Sequence, residues 1–300
     1  MDKRSIIHVL DPMPYTSPFD INMAADAGFE VVIPYANVKL EHVHGLVQDA
    51  IFSRGPAGVR RTAIFIGGRD IGLAVAMLQV AKKAMVPPFE VAVFADPSGA
   101  FTTAAAMVAC VEKQLRLRHG GELAGSQAVV FGGTGPVGIA TGIIASLNGA
   151  KTVIADHLSS DKALAVATEY NALCGCLLRG TFAGSDADKA FLVARADLVF
   201  CAAKAGIEVL SGEVLSHAKQ LKVAADVNAV PPLGIEGIQL KDNGAPLRYA
   251  STGAVGIGAL AAGDVKYQLQ QALLHAMLES EAPVYLDFRD AFQKARRLVE

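Results

Sequence analysis

The stretch "VVFGGTGPVGIA", residues 129–140, places four glycines within seven positions, directly after an apolar run. Glycine loses more backbone freedom on folding than any other residue, so such a cluster needs a structural reason. An ordinary tight loop is one reason, and a turn that brings the backbone against a phosphate group is the other. The surrounding sequence has to decide between them.

Apolar runs such as "SIIHVL" and "TAIFIGG" alternate with helix-like stretches through the first hundred residues. A second series with the same alternation follows "HGGELAGS". Runs of four to six apolar residues, without strict alternation, are typical of strands that helices cover on both faces. The sequence therefore predicts an α/β fold with parallel sheets.

Two such series predict two domains. We expect residues 119–265 to form a Rossmann-type dinucleotide-binding domain and residues 1–118 with 266–300 to form an α/β substrate domain. A cleft between two α/β domains is a common place for ligands. We expect the active site there.

The composition excludes several classes of protein. The 300 residues are 52% apolar, enough for a buried core, and a net charge of −2 gives no basic surface for nucleic acid or anionic lipid. An uninterrupted apolar run of about 18 residues is missing from the sequence, so no membrane association is expected. Four sparse cysteines predict reduced thiols in a cytoplasmic protein. The C-x-C of Cys174 and Cys176 has no second pair, so no metal site is expected.

The glycine cluster gains meaning from its position. Gly133-x-Gly135-x-x-Gly138 follows a predicted strand and opens a predicted helix, the arrangement in which a helix start binds a pyrophosphate. Asp156 ends the next predicted strand, eighteen residues after Gly138, where a carboxylate can accept the ribose hydroxyls. The predicted pyrophosphate-binding residues are Gly133, Thr134, Gly135, Pro136, Val137 and Gly138.

Two further loops have open interpretations. In "FADPSGAFTT", Asp96 ends a predicted strand and Thr102 begins a helix, so the loop either carries site residues or is a helix-capping turn. "DVNAVPPLG", from Asp226, lies at the carboxyl end of a predicted strand of the nucleotide domain. It either faces the nicotinamide or is a rigid connector.

With "SPFDINMAADAGFE", "FADPSGAFTTAAAMVA", "VVFGGTGPVG" and "DVNAVPPLGI", the chain resembles the NAD(P)-dependent methylene-tetrahydromethanopterin dehydrogenases of methylotrophic bacteria, essentially from end to end. The resemblance implies hydride transfer from the methylene bridge of a reduced pterin to NAD or NADP, giving the methenyl pterin, within formaldehyde oxidation. The folate counterpart would be a weaker substrate. Because the hydride leaves a carbon between two nitrogens, no proton has to move in that step. Catalysis then depends on positioning, with carboxylates stabilising the developing cation.

The resemblance and this chemistry together indicate the remaining site residues. We expect the pterin to contact Ser17, Phe19, Phe101, Thr102 and Thr103. The catalytic candidates are Asp20, Asp96 and Lys266, of which Lys266 has an equally good interpretation as a solvated helix residue. The nicotinamide side is expected to be lined by Ala202, Ala203, Lys204 and Asn228, and the adenosine ribose by Asp156 and His157.

The cofactor preference depends on the residues after the second strand of the nucleotide domain. The NADP-specific branch of the family has an Arg-Lys pair there, whereas this chain has Asp156, His157 and Leu158. A carboxylate repels the 2′-phosphate of NADP, so we expect use of both cofactors with NAD preferred. A protonated His157 would narrow that preference. Alternatively, Asp156 only caps the following loop.

Two rival functions remain at this point. Another two-domain dehydrogenase, of the shikimate or methylene-tetrahydrofolate type, would need a Lys–Asp pair or a Tyr-x-x-x-Lys arrangement, and Tyr35 and Lys39 match the second formally. A protein that senses NAD(P) without turnover is the other rival. For the enzyme, we expect a homo-oligomer, either a trimer or a hexamer.

Overall fold

A computed structural model describes residues 3–300, and these residues form two α/β sheets. The strands described are β1 (Ile6–Leu10), β2 (Val31–Tyr35), β3 (Thr62–Ile66), β4 (Ala92–Ala95), β5 (Gln127–Phe131), β6 (Lys151–Asp156), β7 (Leu178–Phe182), β8 (Leu198–Cys201), β9 (Val223–Asp226), β10 (Asn243–Pro246), β11 (Val255–Ile257) and β12 (Tyr285–Leu286).

Helices connect most of these strands, and several begin where the sequence places capping residues or a proline. The helices described are α1 (Pro18–Asp26), α2 (Leu40–Phe52), α3 (Pro56–Val59), α4 (Ile71–Lys83), α5 (Ala100–His119), α6 (Pro136–Leu147), α7 (Ser160–Cys174), α8 (Asp186–Val193), α9 (Gly212–Ser216), α10 (Ala259–Glu279) and α11 (Phe288–Val299). A side-chain oxygen caps α4 and α7, and proline in the first turn starts α1 and α6.

The chain separates into two compact units. Unit 1 consists of Met1–Thr102 and Tyr267–Lys294, and unit 2 of Thr103–Lys266 and Ala295–Glu300. The boundaries fall inside α5, α10 and α11, whereas the sequence pattern predicts the first one at residue 118, near the end of the long apolar helix. Which ligand each unit binds stays a prediction.

The sheet of unit 1 has the strand order β12-β4-β3-β1-β2, and each neighbouring pair is parallel. Every residue of β3 and β4 is buried, as expected for strands inside an α/β sheet. The order reverses between β1 and β3, where Asp11 and Gly67 follow the strands. Ligands of open α/β sheets bind at the carboxyl ends of the strands beside such a reversal.

The sheet of unit 2 has the order β10-β11-β9-β8-β5-β6-β7, with β10 antiparallel and the other pairs parallel. From β7 to β11 this is the strand order of dinucleotide-binding sheets. The reversal lies between β5 and β8, where Phe131 is paired with Cys201 at the carboxyl ends. The predicted fold class, α/β with a Rossmann-type sheet, is confirmed.

The structure adds elements that the sequence patterns did not indicate. β10 and β11 extend the second sheet, α11 ends the chain, and α10 begins at Ala259, several residues before the predicted helix "VKYQLQQALLHAMLES". Within residues 3–300, no helix combines the length and the apolar character needed to cross a membrane.

Candidate functional site

Three glycines of the 132–138 loop are required by close packing within unit 2. Gly132 has φ +70°, and a Cβ there would lie 2.6 Å from the carbonyl oxygen of Ala202. A Cβ at Gly133 would lie 2.7 Å from the Cβ of Ile154, and one at Gly138 would overlap the carbonyl group of Gly132. Larger residues at Gly132 and Gly133 would force the loop away from the segment after β8 and from β6, and a larger residue at Gly138 would force α6 away from the loop.

Gly135 is different, because packing within the chain does not require it. The nearest atom to a Cβ there would be the carbonyl oxygen of Gly132 at 3.5 Å, an ordinary contact. Gly135 precedes α6, and within the described chain no side chain caps that helix end, so its first-turn amides are left for another partner. The loop and the positive end of α6 therefore fit a pyrophosphate that approaches the backbone closely.

A cavity of about 430 Å³ lies beside this loop, at the carboxyl ends of β5, β6 and β8. Its volume is within the range of small-molecule sites. Its lining combines apolar residues with cationic and anionic groups: Phe131, Gly132, Thr134, Gly135, Ala155, Asp156, His157, Lys162, Ala183, Gly184, Lys189, Ala202, Ala203, Lys204, Ile207, Glu208 and Val209. The strand order predicts a ligand at this point of the sheet, and the cavity is found there.

The structure brings seven of the predicted cofactor residues together around the cavity: Thr134, Gly135, Asp156, His157, Ala202, Ala203 and Lys204. Four others belong to the same loop or to the first turn of α6, although they are not part of the cavity lining: Gly133, Pro136, Val137 and Gly138. Asn228 is also outside the lining.

Asp156, the last residue of β6, uses both of its carboxylate oxygens. Oδ1 accepts the backbone amides of Leu158 at 2.8 Å and Ser159 at 3.0 Å. Oδ2 accepts the Thr134 hydroxyl and lies 3.2 Å from Nζ of Lys162. Burial opposes ionisation, but these donors outweigh it and hold the pKa of Asp156 well below its usual range. Asp156 therefore caps the following turn, and it also lines the cavity together with Thr134 and Lys162, the two partners of its Oδ2.

Sequence reasoning missed Lys162, Lys189 and Glu208, which also line the cavity. Lys162 is in the first turn of α7, and its side chain is half-exposed. Lys189 on α8 forms an ion pair with Asp186 at 2.8 Å. The cap signal of Ser159 indicates where α7 begins, but the turn geometry that brings Lys162 to Asp156 has no local sequence pattern.

Asn228 holds the loop that follows β9. Its Oδ1 accepts the amides of Gly206 at 3.2 Å and Val230 at 2.9 Å, and its Nδ2 donates to the Pro232 carbonyl at 2.9 Å. The side chain is almost completely buried. The contacts favour the rigid-connector interpretation, and a contact with the nicotinamide stays a prediction.

Asp226 and Cys201 also stabilise the loop that follows β9. Asp226 accepts the amides of Asn228, Gly234 and Ile235 at 2.9, 2.7 and 3.2 Å. Burial raises the pKa of Asp226 despite these bonds, and burial together with Asp226 raises the pKa of the Cys201 thiol. All four cysteines are buried, and within the described residues none of them forms a disulfide bond.

In unit 1, Asp96 is a capping residue. Its Oδ1 accepts the amides of Phe101 and Thr102 at 2.9 and 3.1 Å, and its Oδ2 accepts the Thr102 hydroxyl at 2.6 Å. The three side chains are completely buried, and Phe101 packs edge-on against Phe288 with ring centroids 5.2 Å apart. The structure favours a role for these residues in holding the turn, and direct contact with a pterin stays a prediction.

The segment after β1 and the start of α1 contain further residues of the predicted substrate site. Ser17 precedes α1, Phe19 is half-exposed and Asp20 is buried. A Cβ at Gly67 would lie 3.1 Å from Oδ2 of Asp11 and 3.7 Å from Oδ2 of Asp20, so both carboxylates face the strand-order reversal of this sheet.

The other residues considered from the sequence lie outside these clusters. Thr103 is half-buried on α5, and Lys266 is half-buried on α10, where the chain passes from unit 2 to unit 1. The Tyr35 hydroxyl lies 3.1 Å from Nδ1 of His8, while the exposed Lys39 ammonium lies 3.7 Å from Glu41. The formal Tyr-x-x-x-Lys match therefore has its two side chains engaged with different partners.

A larger, open depression of about 1060 Å³ lies at the amino ends of β9 and β11. Ligands of such sheets bind at the opposite, carboxyl ends, so the smaller cavity is the better candidate. In the part of the chain that the structure describes, no group of three or more His, Cys, Asp or Glu side chains could hold a metal ion.

Sequence comparison finds relatives of the whole chain. A protein of Methylorubrum extorquens named NAD(P)-dependent methylenetetrahydromethanopterin dehydrogenase is 46% identical over 292 residues, 97% of this chain and 98% of that protein. The bifunctional protein MdtA of the same organism is 32% identical over 98% of this chain and 99% of its own length. Residues 18–98 match the family described as methylene-tetrahydromethanopterin dehydrogenase, N-terminal.

Solved structures share the fold at low sequence identity. The ligand-free 5-ketofructose reductase of Gluconobacter sp. strain CHM43 is 14% identical, with a TM-score of 0.53 and 99% of each chain covered. Shikimate 5-dehydrogenase from Listeria monocytogenes, in complex with shikimate and NAD, is 14% identical, with a TM-score of 0.55 over 99% of this chain and 96% of that one.

Proposed function

Because this chain belongs to the methylenetetrahydromethanopterin dehydrogenase family, we propose that it transfers a hydride from methylene-tetrahydromethanopterin to NAD or NADP and releases the methenyl pterin. Identity of 46% across 97% of the chain is the observation that carries this proposal. The cavity at the strand-order reversal of unit 2 supports it, because dinucleotides bind at such a reversal in sheets of this strand order.

The chain's own residues contribute binding and positioning. The amides that open α6 and the backbone at Gly135 hold the pyrophosphate, and Ala202 to Lys204 line the side toward the nicotinamide. When bound, the nicotinamide supplies the carbon that accepts the hydride. Because no proton has to move in that step, the protein's task is to hold the two reacting carbons in register.

The reaction is tested by measuring NADH or NADPH formation with each reduced carrier. We expect turnover with methylene-tetrahydromethanopterin and weaker turnover with methylene-tetrahydrofolate. Cofactor binding without turnover on either carrier would contradict the proposal and favour a nucleotide-sensing protein.

We infer that Asp20 stabilises the positive charge that develops on the pterin, with Lys266 as a second catalytic candidate and Ser17, Phe19 and Thr103 as substrate contacts. Asp20 is buried and faces the carboxyl ends of β1 and β3. Asp20→Asn is expected to lower kcat/KM by about 10²–10³-fold, as does loss of one preorganised electrostatic group in other enzymes. Asp26→Asn, an exposed carboxylate on the same helix, is the matched control.

We infer a preference for NAD over NADP, because a carboxylate beside the ribose repels a 2′-phosphate. Asp156→Gly is expected to shift the ratio of kcat/KM for the two cofactors about tenfold toward NADP, and His157→Arg in addition would shift it further. An unchanged ratio in Asp156→Gly would mean that this carboxylate only caps the turn.

We infer three broader properties, which rest in turn on the glycine loop of unit 2, on the sparse cysteines and on the family membership. Unit 2 binds the cofactor and unit 1 the pterin, the protein acts in the cytoplasm, and it assembles as a trimer or hexamer. Light scattering on the purified protein checks the assembly, and a monomer at micromolar concentration would contradict it.

A further inference from the structure

We propose that Lys162 binds the 2′-phosphate of NADP, and that its exchange between Asp156 and this phosphate lets one site accept both cofactors. This inference rests on the proposed function, because it assumes a dinucleotide in the cavity of unit 2. It assigns a specificity-determining role to a residue outside the glycine loop and outside the strand end.

The position of Lys162 carries the argument. Its Nζ lies 3.2 Å from Oδ2 of Asp156, the oxygen that also accepts the Thr134 hydroxyl, and its side chain lines the cavity. Dinucleotides place the adenosine ribose beside the acidic residue that ends the second strand, which is Asp156 here. The ammonium is therefore within one side-chain rotation of the 2′ position.

The charge balance explains how two cofactors are accommodated. With NAD, a ribose hydroxyl can donate to Oδ2 of Asp156, and Lys162 still neutralises the carboxylate. With NADP, a group of about −1.5 to −2 charges arrives at the same place. The half-exposed Lys162 has a flexible side chain that can turn toward this phosphate. Thr134 and two backbone amides continue to hold Asp156 when it does so.

The helix that carries Lys162 favours the same outcome. Lys162 is in the first turn of α7, a 15-residue helix whose amino end follows Asp156 closely. The positive end of a helix dipole stabilises an anion in this position. Lys189 and Lys204 line the cavity as well, but Lys189 forms an ion pair with the exposed Asp186. Of the three lysines, Lys162 is the one that contacts the acidic residue at the ribose.

The test compares two probes that differ only in the 2′-phosphate, 2′,5′-ADP and 5′-ADP, by calorimetric titration. In Lys162→Met we expect affinity for 2′,5′-ADP to fall about tenfold to a hundredfold, because a charge-assisted contact is lost and Asp156 is left uncompensated. Affinity for 5′-ADP should change less than about threefold. Lys162→Arg should keep most of the 2′,5′-ADP affinity, because the guanidinium also binds phosphate.

Lys151→Met is the matched control. Lys151 is exposed at the opposite end of β6, away from Asp156, and its substitution should leave both affinities unchanged. In turnover, Lys162→Met should lower kcat/KM for NADP and leave that for NAD nearly intact.

Each outcome bears on one of the two proposals. Equal losses for both probes in Lys162→Met, or no loss for either, would overturn the role of Lys162 while leaving the dehydrogenase intact. A selective loss in Lys189→Met or Lys204→Met instead would assign the phosphate to that lysine. Failure of the wild-type protein to bind either probe would overturn the proposed dinucleotide site itself.

Discussion

Asp96 in unit 1 and Asp156 in unit 2 have nearly the same hydrogen bonds. Asp96 follows β4 and Asp156 ends β6. Each accepts two backbone amides on Oδ1, and each accepts a threonine hydroxyl on Oδ2. Both side chains are buried. Their surroundings differ, because Thr102 is enclosed with Asp96, whereas Thr134 and Lys162 line a cavity with Asp156.

The comparison shows that the bonds of a carboxylate do not reveal its role by themselves. Asp96 is held by the first turn of the helix that it caps, so its bonds cannot be exchanged without disturbing α5. Asp156 shares its second oxygen with side chains that can move and be replaced by a ligand hydroxyl. We call a cap closed when all partners of the carboxylate are enclosed in the protein, as at Asp96, and open when some of them line a cavity, as at Asp156. A closed cap stabilises the fold, and an open cap can also bind a ligand.

The largest difference is expected from alanine substitution of the two aspartates. Asp96→Ala leaves two buried amides without an acceptor and leaves the Thr102 hydroxyl a long bond of 3.3 Å to the Gly99 carbonyl, and should lower the free energy of unfolding by about 4 kcal/mol. Asp156→Ala should cost about 2 kcal/mol, because the exposed Leu158 lets water reach the freed amides. Urea denaturation measures both, with the exposed Asp264→Ala as control. Equal losses would remove the distinction between the two caps.

A smaller difference is expected from the two threonines. Thr102→Val removes a completely buried hydroxyl and should lower the free energy of unfolding by about 2 kcal/mol. Thr134→Val should cost less than about 1 kcal/mol, since water in the cavity can replace the hydroxyl. Substitution by serine keeps each hydroxyl and serves as control. A greater loss in Thr134→Val would show that the second cap is also closed.

The smallest effect concerns pH. Because donors hold the pKa of Asp156 below its ordinary value, its ionisation stabilises the folded protein at pH values above the unfolded pKa, about 4. That contribution is lost as the pH falls through the lower, folded pKa. The difference in unfolding free energy between the wild type and Asp156→Asn should therefore be constant from about pH 7 to about pH 5 and shrink below about pH 4. A difference that grows on acidification would contradict the low pKa.

Much of the fold could be predicted because buried parallel strands leave a strong local signal. Strands β3 and β4 are apolar runs, and the glycine cluster marks the start of α6. β11 was missed because its sequence is short and contains glycine, which is rare in strands. A Cβ at Gly256 would lie 3.0 Å from the side chain of Ile238. The need for glycine at this position therefore depends on packing against a residue eighteen positions away.

Site residues could be predicted only where the spacing of residues along the sequence indicates them. The distance from Gly138 indicates Asp156, whose role at the ribose stays a prediction. The ion pair of Asp156 with Lys162 depends on how the chain turns between β6 and α7, which no spacing indicates. The structure packs the buried Phe101 against Phe288, 187 residues later in the chain, while a contact of Phe101 with the pterin stays a prediction. Local patterns do not contain such pairings.

The prolines at the sheet edges have a consequence for assembly. Pro34 lies in β2, at one edge of the first sheet, and Pro246 ends β10, at one edge of the second; both are exposed. Proline lacks the N–H that an added strand would need, and natural proteins use it to protect edges against aggregation. A foreign strand, from another copy or from a partly unfolded chain, is therefore expected to find few places to attach at β2 and β10, whereas the opposite edges, β12 and β7, contain no proline.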